Sequence, residues 1–209
     1  MLKGLLTLLG SVLPVMSYAS PETEFWKWFM AHETALYRFE SPSDPILGQL
    51  SARMSAINAG LTFEFSGIRA DGIREFIISA GGIKAAFPAV EALYDAAPSL
   101  ERWQLIKFRP RRESLSTISF DGRIFDPSKV LYVLAQDGDK VGIVLMFDGY
   151  VPEDQAFAQA GYLMLDEALG EYTVETKVGF IEMQGKEGEL QAHSHPLTEI
   201  TQHFDEVSR

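Results

Sequence analysis

The sequence predicts an α+β protein: two N-terminal helices followed by two related ββαβ units, with mainly antiparallel sheet and helices packed on one side. Three observations carry this reading. Apolar residues recur at helical spacing over 20–40 and 46–59. Two later stretches, 61–110 and 130–183, run through the same order: two β-rich segments around an Asp-Gly turn, a helical segment, and a closing β-rich segment. No low-complexity linker separates them, so residues 20–209 are expected to form a single domain.

The first helix is signalled by "SPETEFWKWFMAHETALYRFE". Ser20 suits the N-cap, Pro21 the first turn, and Glu22 and Glu24 the positive end of the helix dipole. "SPSDP" stops it, and the second helix ends at Gly60. "LTFEFSG" and "IREFIISAGG" form the first hairpin, "IKAAFPAVEALYDAAPSL" a helix, and "RWQLIKF" a strand. In the second unit, "VLYVLAQDGDKVGIVLMFDGY" is a hairpin turning at "QDGDK". The helix "EDQAFAQAGYLMLDEALG" follows, stopped by Gly170, and "TVETKVGFIEM" reads as the closing strand. Residues 111–128 bridge the units, with a short hairpin around Asp121-Gly122.

Composition narrows the function classes. The 209 residues are 46% apolar and 22% charged, and the net charge is −11. A chain this acidic repels phosphate backbones, which speaks against nucleic-acid binding. It contains no cysteine, so disulfides, Cys-ligated zinc and thiol catalysis are excluded. "MLKGLLTLLGSVLPVMSYAS" opens with Lys3, continues as an apolar run over 4–16, and places Ser17 and Ala19 as small residues before a cut. This is the pattern of a secretory signal peptide over 1–19, which makes the mature protein periplasmic or secreted. The alternative is an amphipathic helix on a cytoplasmic protein. No later stretch is long and apolar enough to span a membrane.

Two clusters are candidate sites. In "IKFRPRR", period-two alternation places Lys107, Arg109 and Arg111 on one face, with Arg112 beside them. Guanidinium forks bind carboxylates and phosphates, so this stripe is expected to take a small anionic ligand or an acidic protein partner, or else to pair with the chain's own excess of carboxylates. In "QAHSHPLTEI", His193 and His195 stand at i, i+2 and would share a side on an extended segment, with His203 following on a short helix. Histidine with carboxylates can bind zinc or copper, but no HExxH or similar ligand spacing is present, so a polar loop is the simpler reading and no cofactor is required. Four large rings within 25–29 cannot share one helix stripe. Either that helix is buried on two sides, or one ring is left for a partner or for a second copy of the chain in a homo-oligomer.

The phrases "FWKWF", "LTFEFSG", "REFIISAGG", "FPAVEALYDAAPSLERWQLIKFRPRR", "ALGEYTVETKVGFIEM" and "PLTEI" together resemble a family of uncharacterised bacterial proteins of unknown function. The resemblance spans about 22–206. It implies a fold but no activity, cofactor or catalytic residue. The expected function is therefore an exported, non-catalytic binding or interaction protein recognising an anionic group or acidic partner. A His-dependent metal-binding protein or metal-assisted hydrolase is the alternative.

Overall fold

The computed structural model describes residues 19–120 and 122–208; apart from Ala19, the expected signal peptide falls outside them. Helices α1 (Pro21–Arg38) and α2 (Pro45–Ile57) come first. The first unit is β1 (Thr62–Phe65), β2 (Arg74–Ser79), α3 (Phe87–Asp95) and β3 (Trp103–Lys107). A small hairpin follows, β4 (Ile118–Phe120) and β5 (Arg123–Phe125). The second unit is β6 (Leu131–Asp137), β7 (Lys140–Phe147), α4 (Gln155–Leu169), α5 (Glu171–Lys177) and β8 (Val178–Gly185). The two-residue strand β9 (His195–Pro196) and helix α6 (Ile200–Val207) close the described chain.

The fold is α+β, and the two units share one wiring. In each, the first two strands pair antiparallel and a helical crossover brings the third strand parallel to the second. They build separate sheets, ordered β1-β2-β3 and β8-β7-β6-β9. Pairing register puts Phe63, Phe65, Phe76, Ile78, Trp103 and Leu105 on one face of the first sheet, where α1, α2 and α3 cover them. Tyr132, Ile143, Leu145 and Met183 form the corresponding face of the second sheet, covered by α4 and α6.

Local chemistry explains the boundaries. The Ser20 hydroxyl accepts from the Thr23 N–H at 3.2 Å, and Asp44 and Asp154 cap α2 and α4 in the same way. Gly138, at φ +63, takes the left-handed position that the two-residue β6–β7 turn needs. Between β7 and β8 the register shifts by one residue, a β-bulge. There the Phe180 ring lies over Gly142 so closely that a Cβ would sit 2.2 Å from it.

One expectation is corrected here, and one open choice is decided. Residues 173–177 belong to a helix, α5, and the closing strand starts at Val178. Their β-branched side chains are overridden by a tertiary contact at Glu171, described below. The four rings of α1 are all buried, with Phe25, Trp26, Trp28 and Phe29 at most 8% exposed, so none is left for a partner. The helix lies between the sheet and its neighbours: the Trp26 indole N–H donates to the Leu93 carbonyl of α3 at 2.7 Å, and Arg53 of α2 stands 4.7 Å from the Trp28 ring. His32 is a packed, hydrogen-bonded histidine, stacked on Trp28 with its Nδ1 2.8 Å from the Trp28 carbonyl.

Phe29 is 0% exposed and stacks on Phe76 at 5.3 Å, with Trp26 and Trp103 edge-on. Phe29→Ala should cost about 3 to 5 kcal/mol in urea unfolding, whereas Met30→Ala, on the exposed side of the same helix, should stay within about 0.5 kcal/mol.

Candidate functional site

The basic run does not continue as a strand. β3 ends at Lys107, and Phe108 turns into the left-handed region at φ +63, the only described non-glycine residue to do so. Such a backbone costs on the order of 1 kcal/mol or more and persists only where surroundings enforce it. Here its N–H donates to the Ile78 carbonyl at 2.7 Å, and its ring packs against Phe87 and Tyr172. The period-two stripe expected through Lys107, Arg109 and Arg111 is therefore broken at its first step.

Each cation then goes its own way. Lys107 is exposed, with its ammonium 5.4 Å from the Tyr94 ring. The Arg109 guanidinium pairs with Glu64 and, at 3.2 Å, with Asp166. Arg111 makes a bidentate pair with Asp205, both bonds 2.8 Å, and its Nε–H donates to the Leu169 carbonyl. Arg112 is exposed and stands 4.0 Å from Glu64. Arg109 and Arg111 thus pair with the protein's own carboxylates and tie segment 109–112 to α4 and α6.

The centre of this junction is Glu171, which the sequence did not single out. Its carboxylate is fully buried and accepts three backbone N–H bonds: Ala80 at 2.9 Å, Gly82 at 3.2 Å and Arg109 at 3.0 Å. The Glu171 N–H returns a bond to the Arg109 carbonyl at 3.0 Å. Gly81 and Gly82, both at positive φ, shape the turn that presents two of these donors. The adjacent Tyr172 ring lies on Phe87 and Phe108. One helical turn of the second unit is therefore plugged into the first.

Beside it, Asp166 is 6% exposed, and burial pushes its carboxyl up to about 7 even with Arg109 alongside; Glu171 and Glu175 add to the rise. Burial, then Glu171, also raises Glu175. The two line a cavity of about 500 Å³ between the units, with Gly82, Arg109, Gln159 and Tyr162.

The histidines meet only in part. His193 ends a 3-10 turn and is exposed, so the i, i+2 geometry of an extended chain does not arise. His195 on β9 and His203 on α6 do converge, with ring centroids 5.1 Å apart. The buried Tyr132 hydroxyl and His203 Nδ1 share a 2.9 Å hydrogen bond, and burial together with Glu199 pushes that hydroxyl up to about 12. These residues line an open groove of about 970 Å³, which Arg112 enters from the basic run and Glu199 and Glu206 from α6 and its approach. Among the described residues, no three His, Asp or Glu side chains gather as a metal site. The groove can offer hydrogen bonds, a fixed imidazole and carboxylates to a ligand.

Compared with family models, curated proteins and solved structures, the chain matches none.

Glu171→Gln replaces one accepting oxygen with a donor facing a buried N–H, and should cost about 2 to 4 kcal/mol in urea unfolding. Asp166 gives a pH signature. Its folded value lies above its unfolded one, so the folded state binds the extra proton between about pH 4 and pH 7, and stability falls as pH rises through that window. The melting temperature of Asp166→Asn relative to the unsubstituted protein should therefore climb from pH 5 to pH 8. A difference independent of pH would contradict this.

Proposed function

We propose that the protein is a non-catalytic interaction module that holds a partner in the groove beside α6. The observation that carries this reading is the convergence of two sequence-distant polar clusters on one open surface. Arg112 comes from the basic run, and His195 and His203 from the C-terminal segment, with Tyr132 between them. The groove is open rather than enclosed, which suits a macromolecular partner better than a small substrate. Of the two readings of Arg109 and Arg111, an outside anion or the chain's own carboxylates, the second holds: they are engaged by Glu64, Asp166 and Asp205. The groove also carries the carboxylates of Glu113, Glu199 and Glu206 around Arg112, with Asp205 held by Arg111. That balance favours a cationic partner over an acidic one.

In this reading the chain is exported, on the strength of Ser17 and Ala19 at the expected cut, and the mature protein should begin at Ser20 on N-terminal sequencing. The groove is tested by placing a photo-crosslinking residue at Thr198, which lines it, and in a second protein at the exposed Glu91 of α3. Crosslinking in cells should give discrete adducts from position 198 alone, at least several-fold weaker after His203→Ala. Equal adducts at both positions, or none at 198, would overturn the reading.

A further inference from the structure

β6 pairs with β7 along its whole length, but on its outer side β9 covers only Leu131 and Tyr132. Backbone parity says which groups remain. The Val130 carbonyl faces outward, since it accepts the Leu197 N–H at 2.9 Å. The two-residue turn closes at the pair Asp137 and Lys140, which are bonded to one another and so face inward. Leu134 and Gln136 share Val130's parity and present their N–H and C=O groups outward. Among the described residues, no strand pairs with β6 there.

This edge has a floor and a charge. A second cavity, about 620 Å³, runs beside it, lined by Leu134, Gln136, Lys140, His203 and Val207. His203 lines both, so this trough along β6 and α6 abuts the larger groove there. Val207 is 50% exposed and gives the trough an apolar patch beside the half-buried Leu134. The larger groove contributes Glu113, Glu199 and Glu206 beside Arg112, with Asp205 held by Arg111, and the strand tip adds Asp139 beside Lys140, so acids outnumber bases. A second copy of this chain would bring the same acids and a net charge of −11 to its own edge, which opposes self-pairing.

We propose that the outer edge of β6, residues 134–137, accepts an extended cationic peptide segment of a partner protein by strand addition, in line with β9. The backbone supplies the bonds, and alternate side chains divide the recognition. One set, basic, lies on the α6 face, its stems over Leu134 and Val207 and its charges toward Glu199 and Glu206; the other faces away, beside Val133 and Ala135. The proposal rests on the groove being a docking surface and names the class of its occupant.

The test uses the full chain and a fluorescein-labelled Lys-Val-Lys-Val-Lys-Val-Lys peptide, read by anisotropy. Saturable binding is expected, weakened roughly ten-fold by Gln136→Pro, which removes an outward N–H and blocks the edge. Glu199→Gln with Glu206→Gln should weaken it several-fold and flatten its dependence on salt. N-methylation of alternate peptide nitrogens supplies an arm that leaves the protein untouched. One of the two methylation registers should abolish binding and the other spare it. Equal binding of both registers would mean adhesion of a cation to an acidic surface and would overturn strand addition, as would no binding at all. Self-association lost in Gln136→Pro would instead assign the edge to a second copy. If the peptide fails while crosslinks from position 198 persist, strand addition falls and the interaction groove stands; if both fail, both fall.

Discussion

A buried carboxylate holds this structure together. Glu171 belongs to the second unit, but its hydrogen bonds end in the first, on the N–H groups of Ala80 and Gly82, and on Arg109 in the segment that leaves β3. Removing a carboxylate from water is costly, and three backbone donors with a guanidinium nearby offset that cost. The geometry is reciprocal, since Arg109 also accepts the Glu171 N–H. Neither partner can shift alone. Two departures from local preference flank this contact: β-branched residues wound into α5, and Phe108 held at a positive φ next to Arg109.

The groove follows from the clamp. Once segment 109–112 is fixed against α4 and α5, Arg111 reaches the Leu169 carbonyl and Asp205, which ties the end of α4 to α6. The Thr201 hydroxyl reinforces that link by donating to the Ala168 carbonyl. α6 then lies where His203 meets Tyr132, and Arg112, the next residue along, emerges on the same surface. Polar groups far apart in sequence converge because a few short-range bonds at the unit junction set the position of α6. The raised carboxyl of Asp166 is a by-product of the same burial, and it makes the junction sensitive to pH.

Much of the fold was legible because its signals are local. Ser20 announces its helix within one turn, Gly138 its hairpin, and Gly170 the end of α4. The matched order of strands and helix could be read for the same reason. The junction was not legible. Glu171 is one of 29 acidic residues, and nothing in its neighbours marks it, because its partners lie 62 to 91 positions away. Gly81 and Gly82 in "SAGG" signal a tight turn, but not that the N–H groups of Ala80 and Gly82 hold another unit's carboxylate. In the sequence Arg109 and Arg111 suit either an outside anion or the chain's own carboxylates; that the partners are Glu64, Asp166 and Asp205 is a matter of topology. The sequence groups His193, His195 and His203, yet the meeting of the last two with Tyr132 is a matter of topology, and His193 stands apart because its turn is helical rather than extended.

The central claim, that one carboxylate locks the two units, is tested most directly by amide hydrogen exchange at Ala80, Gly82 and Arg109, read by NMR in the unsubstituted protein. The account predicts protection of all three at the level of Ile78 in the buried strand β2, with a common opening free energy, because they are released only when Glu171 leaves. Exchange at loop-like rates, or three unrelated opening energies, would contradict it and leave the units held together by the Arg109–Asp166 pair and the Phe87, Phe108 and Tyr172 packing.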